Sequence, residues 1–303
     1  MTNAVSSPKK RRFSMHQKQS LAGWAFLAPA TLLIFVLSFY PMFSALLTSF
    51  KRGRPTALEW SDPLIRNYQF MLRDKVFLQS VTNTLTYLII QVPIMLALAV
   101  IFASLLNNRN LKLRGLFRTC IFLPCATGLV AYSMIFRTLF TYDGMINNVL
   151  LRFGIISEAI NWLNDPVYAK AVIIIGLIWR WTGYNMVFYL SAMQSIEYSI
   201  YEAARIDGAN GLQQLTRITI PLLRPIILVT AIMSTNGTLQ LFDESVNLTR
   251  GGPGNMTITM SHYIYNTMFT KNPNFGYAAA MSFVILVMVA VLAAIQMKVG
   301  DKR

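Results

Sequence analysis

Negative charge is what this chain has least of. Asp and Glu number 12 against 27 Lys and Arg in 303 residues, and there are only two His and two Cys. His16 and His262 lie near opposite ends with no cysteine beside either, so no metal-ligand cluster is spelled out. Cys120 and Cys125, five apart, point about 140° from each other on a helix, which argues against a disulfide within it and makes them buried structural thiols. No G-x-x-x-x-G-K-S/T run occurs, so the chain builds no phosphate-cradling P-loop. The apolar stretches hold none of the convergent His, Asp or Cys that an embedded enzyme needs, so no catalytic residue and no cofactor of its own is expected.

What is abundant is apolar surface. Apolar residues make up 54% and charged residues 13%, with a mean hydropathy of +0.47. Runs of about 20 or more nearly uncharged residues are long enough to cross about 30 Å of hydrocarbon. Six are visible, at about 21–49, 80–106, 116–140, 168–195, 217–242 and 276–297. The first is too long for a signal peptide's apolar core and reads as a retained span. The prediction is an all-α polytopic membrane protein with six transmembrane helices in one domain over 21–298. A basic tail precedes it at 1–20, a short tail follows at 299–303, and a polar loop interrupts it at 197–221.

The net charge of +15 would suggest nucleic acid in a soluble protein. Before a membrane span, Lys9-Lys10-Arg11-Arg12 reads instead as a cytoplasmic tail beside a lipid bilayer, and no nucleic-acid partner is expected. With both termini cytoplasmic, 15 of the 27 Lys and Arg fall on the inner side. The outer loop 50–79 dilutes the bias with Lys51, Arg52, Arg54, Arg66, Arg73 and Lys75. Pro29, Pro41, Pro93 and Pro124 predict bent spans. Short surface helices fit into loops 50–79 and 141–167. Gly251-Gly252-Pro253-Gly254 predicts a turn, followed by an amphipathic stretch from Thr257 to Phe269. Trp24, Trp60 and Trp162 suit interfacial anchoring.

The most informative segment is Tyr201-Glu202-Ala203-Ala204-Arg205-Ile206-Asp207-Gly208-Ala209-Asn210, running on to Ile218-Thr219-Ile220-Pro221. Ser199-x-x-Glu202 has capping-box spacing, and Gly208 suits the left-handed residue that ends a helix. The prediction is a rigid helix of about two turns, then a second stretch to Pro221. Small side chains at Ala203 and Ala204 would let such a helix approach a partner closely. Glu-Ala-Ala alone carries no function; the whole spaced pattern between two apolar runs does. Arg205 and Asp207 face either water or the partner.

That pattern resembles the cytoplasmic coupling loop of ATP-binding-cassette importer permeases. The resemblance extends over nearly the whole chain to the carbohydrate type. It is carried by Phe122-Leu123-Pro124, Trp181-x-Gly183-Tyr184-Asn185-Met186, Asp207-Gly208-Ala209, Leu239-Gln240-Leu241-Phe242-Asp243-Glu244, Leu248-Thr249-x-Gly251-Gly252-Pro253-Gly254 and Asn274-Phe275-Gly276-Tyr277-Ala278-Ala279. Ile220 and Glu197 depart from the usual Leu and Pro. The resemblance implies the type I importer fold and an inner-membrane, binding-protein-dependent transporter. Its partners would be a second permease, two ATPase subunits that bind the ATP, and an extracytoplasmic solute-binding protein. It implies that Glu202, Ala203, Ala204, Asp207, Gly208, Ile218 and Pro221 couple to the ATPases, and that the substrate is an oligosaccharide or glycoside.

Sugar recognition uses aromatic faces with amides and carboxylates, and two spans supply both. The substrate path is expected at Arg180, Trp181, Tyr184 and Asn185 in the fourth span, and at Ser234, Thr238, Gln240, Asp243 and Glu244 towards the outer end of the fifth. Trp179 and Trp181 lie on opposite sides of one helix and cannot both face the path; Trp181 is favoured because the resembled motif begins there. Arg180 inside a span costs roughly 2.5–3.5 kcal/mol, so it is expected to pair with Asp243 or Glu244. The rival reading, a self-sufficient secondary transporter or channel, calls for intramembrane carboxylates or inverted repeats, and neither is visible.

Overall fold

The computed structural model describes residues 15–300 except 55, 109–110 and 271–272. Helix α1, Met15–Ile34, passes through a π turn at Phe35–Phe39 into α2, Tyr40–Ser49. A hairpin of β1, Lys51–Arg54, and β2, Ala57–Trp60, follows, with Lys51 opposite Trp60. Then come α3, Arg66–Met71; α4, Lys75–Asn107; α5, Arg114–Ala126; α6, Leu129–Leu139; and α7, Met145–Arg152. Helix α8 is Pro166–Gln194, α9 Tyr198–Ile206, α10 Gly211–Gln214 and α11 Ile220–Leu239. A π turn at Ser245–Thr249 leads to α12, Met260–Phe269, and α13, Phe275–Gly300.

Among the described residues, five helices are long and apolar enough to cross a membrane: Gln19–Ser49, α4, α8, Gly211–Leu239 and α13. The third apolar run is not one helix as expected. It breaks between Ala126 and Leu129, and α5 and α6 meet at a bend of 99°. Thr127 and Gly128 take extended backbone, and the Thr127 hydroxyl donates to the Pro124 carbonyl at 2.7 Å. The Thr127 N–H also reaches that carbonyl at 3.3 Å, so backbone and side chain together satisfy it where the helix is interrupted. Counted with that broken pair, the spans number six, as expected.

Loop 50–79 holds the short helix at α3 but also the hairpin, which had no place in the reading of the sequence. Gly53 and the alternation Arg52-x-Arg54 were the available signals. The tail at 1–20 is partly helical, since α1 begins at Met15; residues 1–14 and 301–303 lie outside the described residues. Cys120 is exposed and Cys125 half-buried, both free, so neither is a buried thiol. They lie on α5 at the edge of the bundle. Trp24 and Trp60 are exposed, whereas Trp162 is tied down by its indole N–H, which donates to Asn147 Oδ1 at 2.8 Å.

Helices α4 and α8 form the centre. On one side Tyr87, Tyr132, Val172, Ile173 and Leu177 pack together; on the other Ala99, Ala103, Met186, Tyr189 and Leu223 do. Gly183 lets α5 come close, because a Cβ there would lie 1.9 Å from the Ile121 carbonyl oxygen. Gly183→Ala is therefore expected to cost about 1–3 kcal/mol by overpacking. A thermal melt of the purified protein checks this, and an unchanged melt would contradict the close approach.

Candidate functional site

Where α8 and Gly211–Leu239 diverge, they leave a cavity of about 320 Å³. Trp181, Tyr184 and Asn185 line it from α8, Ser234 and Thr238 from α11, and Gln240, Asp243 and Glu244 from the connector beyond. Ser234 and Thr238, one helical turn apart, share the lining face, as their spacing required. Trp181 and Tyr184 meet edge to face at 5.8 Å. Trp179 points the other way, packing on Tyr132 and Phe136 at 6.0 and 5.3 Å between ring centres. Asp243 and Glu244 are not on the span, which ends at Leu239; they reach the cavity from the turn after it.

The sequence reading missed the contribution of α4. Gln91 and Met95 line the same cavity, and the Thr238 hydroxyl donates to Gln91 Oε1 at 3.0 Å. Gln91 Nε2 and Asn185 Nδ2 both reach the Met95 sulfur, at 3.1 and 3.7 Å. A glutamine near the centre of a strongly apolar span was the signal. It carries weight because a buried amide in hydrocarbon requires partners.

Arg180 departs from expectation. Among the described residues the one ion pair within 4 Å joins Arg52 to Glu59 at 3.4 Å, so Arg180 pairs with neither Asp243 nor Glu244. It is buried but does not line the cavity. Its guanidinium lies over the Tyr132 ring at 5.2 Å and the Trp181 ring at 5.5 Å, and its Nε and Nη1 have no hydrogen-bond partner. Aromatic faces stabilise the cation where a carboxylate was expected. Gly176, one turn before it, gives Tyr132 room to take that position: a Cβ there would lie 2.2 Å from the Tyr132 hydroxyl.

Glu244, in the connector outside the spans, is only 3% exposed. Burial pushes its carboxyl up to about 7, the nearby charge of Asp243 adds to this, and its own backbone N–H and Arg180 act against it.

At the other end of the bundle, α9 begins with Glu197 as N-cap and no side-chain cap. The expected Ser199 capping box is absent because the helix starts before it; the Ser199 hydroxyl only reaches Glu197 Oε2 at 3.5 Å. The box sits instead at the start of α10, where Asn210 and Gln213 cap each other at 2.8 and 2.9 Å. Gly208 ends α9 as predicted. At φ +82° it lets the Ala209 N–H reach the Ala204 carbonyl at 2.8 Å and its own N–H reach Arg205 at 3.0 Å, the Schellman pattern. From Gly211 the chain runs as one helix to Leu239, with a π turn at Leu215–Thr219. Pro221 has no N–H for the carbonyl one turn back, and the helix widens just before it. The hydroxyls of Tyr201 and Thr219 meet at 3.0 Å and brace α9 against this helix.

Of the predicted coupling residues, Ala204, Asp207, Gly208 and Ile218 line one groove of about 380 Å³ together with Arg217. Glu202, Ala203 and Pro221 are exposed outside it.

The raised carboxyl of Glu244 has a measurable consequence. Its proton is held more tightly in the folded state than in the unfolded chain, so stability falls as pH rises from about 4.5 to about 7 and levels off above. The span of that loss is up to about 3 kcal/mol. Glu244→Gln is expected to flatten this part of the stability–pH curve. An identical curve for the variant in thermal melts would contradict the burial.

Residues 95–301 match the family described as binding-protein-dependent transport system inner membrane component. Over 294 residues the chain is 50% identical to the lactose transport system permease protein LacF of Rhizobium radiobacter, covering 96% of this chain and 98% of that one. It is 32% identical over 290 residues to the arabinooligosaccharides transport system permease protein AraP of Halalkalibacterium halodurans, covering 95% and 90%. In fold it is similar to a chain of a solved bacterial ABC transporter involved in alginate import, with a TM-score of 0.79 at 22% identity over 94% and 96% of the two chains. The cavity between two diverging spans, the bundle that builds it and the sequence match over two thirds of the chain agree: the protein belongs to the inner-membrane permease components of binding-protein-dependent ABC transport systems.

Proposed function

We propose that this chain is one of two permease subunits of an ATP-driven importer for an oligosaccharide or glycoside. One observation carries the reading: a single helix, Gly211–Leu239, starts beside the groove at Asp207 and Gly208 and ends at the cavity of Trp181, Tyr184 and Thr238. Movement imposed at one end of a rigid helix is delivered at the other.

In this reading both termini are cytoplasmic, and an ATPase subunit that holds the ATP docks at the groove, touching Ala204, Asp207, Gly208 and Ile218. Glu202, Ala203 and Pro221 flank the contact. A second ATPase serves the partner permease, and an extracytoplasmic binding protein delivers the sugar. The carbohydrate assignment is supported by the lactose and arabinooligosaccharide permeases it resembles. It is also supported by the cavity wall, where aromatic faces suit C–H surfaces and Gln91, Asn185, Gln240, Asp243 and Glu244 suit hydroxyls. Arg180, set behind Trp181, positions that ring instead of touching substrate.

Two substitutions test the two ends. Gly208→Val forces a branched side chain into left-handed backbone, which costs about 1–2 kcal/mol. In proteoliposomes it is expected to keep the protein folded while cutting sugar-stimulated ATP hydrolysis about tenfold. Trp181→Ala is expected to leave ATPase assembly intact while sugar uptake falls about tenfold. Wild-type protein that purifies without an ATPase and takes up sugar alone would support the channel or secondary-transporter reading instead.

A further inference from the structure

A second cavity lies at the opposite end of the bundle from the first. It measures about 770 Å³ and lies behind α9, between the end of α4, the start of α5, the end of α8 and the base of the Gly211–Leu239 helix. Its chemistry is one-sided. Arg114 and Arg205 line it together with Asn107, Gln194, Gln214 and Tyr201, and no Asp or Glu is among the described residues that do so. Neither arginine has a carboxylate within 4 Å among the described residues. Two guanidiniums and several amides around one aqueous space, with no anion supplied by the chain, attract an anion from outside.

Two further features point the same way. Arg114 is the first residue of α5, a helix of 13 residues whose N-cap, Leu113, gives no side-chain hydrogen bond. A helix N-terminus carries the positive end of its dipole, which favours negative charge close to Arg114. Arg205 is held in place: its Nη1 donates to the Tyr198 hydroxyl at 2.9 Å, and its guanidinium lies over the Tyr198 ring at 5.5 Å. On α9, Tyr198, Tyr201 and Arg205 occupy one face within about 60° of arc, with Ala203 and Asp207 on the opposite side. The helix therefore presents Arg205 with Tyr198 and Tyr201 to the cavity and keeps Asp207 for the groove.

We propose that this cavity binds a phosphate-bearing anion between Arg114 and Arg205, tying α9 to α5. Guanidinium forks match phosphate oxygens in geometry, and basic pockets between membrane helices on the cytoplasmic side suit such groups. The occupied site stiffens the loop that the proposed ATPase would push, so anion occupancy sets how tightly hydrolysis is coupled to transport. This role rests on the importer reading above; the site itself rests on the cavity alone. The phosphate belongs either to an anionic phospholipid headgroup or to a soluble phosphate compound.

The test uses the assembled complex in nanodiscs of phosphatidylcholine. One arm adds phosphatidylglycerol to the bilayer, the other adds inorganic pyrophosphate to the buffer, and the unfolding midpoint is followed in each. A saturable rise is expected in at least one arm, and Arg114→Gln with Arg205→Gln is expected to weaken the apparent affinity about tenfold or more. Arg224→Gln, a nearby arginine that does not line the cavity, is expected to leave it unchanged. A response to phosphatidylglycerol alone assigns a lipid headgroup, and one to pyrophosphate alone assigns a soluble compound. No saturable rise in either arm, or an equal loss in Arg224→Gln, overturns the site. If the double variant does not assemble, each single variant is read by the same criteria. Failure of an ATPase to co-purify with wild type counts against the importer reading, and the titration on the permease alone still decides the site.

Discussion

A helix in hydrocarbon has no water to satisfy its backbone, so every interruption must bring its own hydrogen-bond partner. The rest of this structure follows from where the chain meets that demand. At the break between α5 and α6, the Thr127 hydroxyl covers the Pro124 carbonyl. At Pro221 the helix widens into a π turn, where Thr219 Oγ1 donates to the Gln214 carbonyl at 3.2 Å. At the end of α11, Thr238 shares its hydroxyl between the Ser234 carbonyl and Gln91. The last two sites lie within one 29-residue helix, and the cavity and the loop groove sit at its ends. Outside the spans the same economy holds: Asp74 caps α4 with Oδ1 and accepts from the Tyr263 and Tyr277 hydroxyls with Oδ2, at 2.6 and 2.7 Å, joining three helices at one carboxylate.

Sparse acidic charge gives the few carboxylates large effects. Glu244 is buried beside the cavity with its ionisation resisted, while Arg180 nearby rests on aromatic rings instead of on that carboxylate. Separate burial of the two leaves the cavity wall with oxygen acceptors and no exposed cation of its own among the described residues. At the opposite end the balance reverses, and Arg114 and Arg205 face a cavity to which the chain contributes no acid among the described residues.

Much of this was legible in the sequence because it is periodic or spaced. Apolar runs gave the spans, and Gly208 after Ile206 and Asp207 gave the end of α9; spacing showed that Trp179 and Trp181 could not both face one cavity, and the resembled motif that begins at Trp181 gave the ring that does. Eight of the nine residues expected on the substrate path do line one cavity. What was not legible depends on contacts between distant segments. The choice of Glu197 over Ser199 as N-cap follows from where the chain leaves α8, not from the capping pattern. The partner of Arg180 is decided by Tyr132, on a helix that turns by 99° before reaching it. Gln91 joins the cavity only because α4 packs on α8, and the hairpin at 51–60 has strands of four residues, in which alternation is a faint signal.

The central claim is that the Gly211–Leu239 helix carries motion from the loop to the cavity. Its most direct test is a single cysteine at Ser234, with Cys120 and Cys125 replaced, in proteoliposomes of the whole complex. A membrane-impermeant maleimide is applied from one side at a time, with and without trapped nucleotide. The account predicts that labelling switches sides with nucleotide and that Gly208→Val abolishes the switch. Labelling from both sides at once, or from one side whatever the nucleotide, would contradict it.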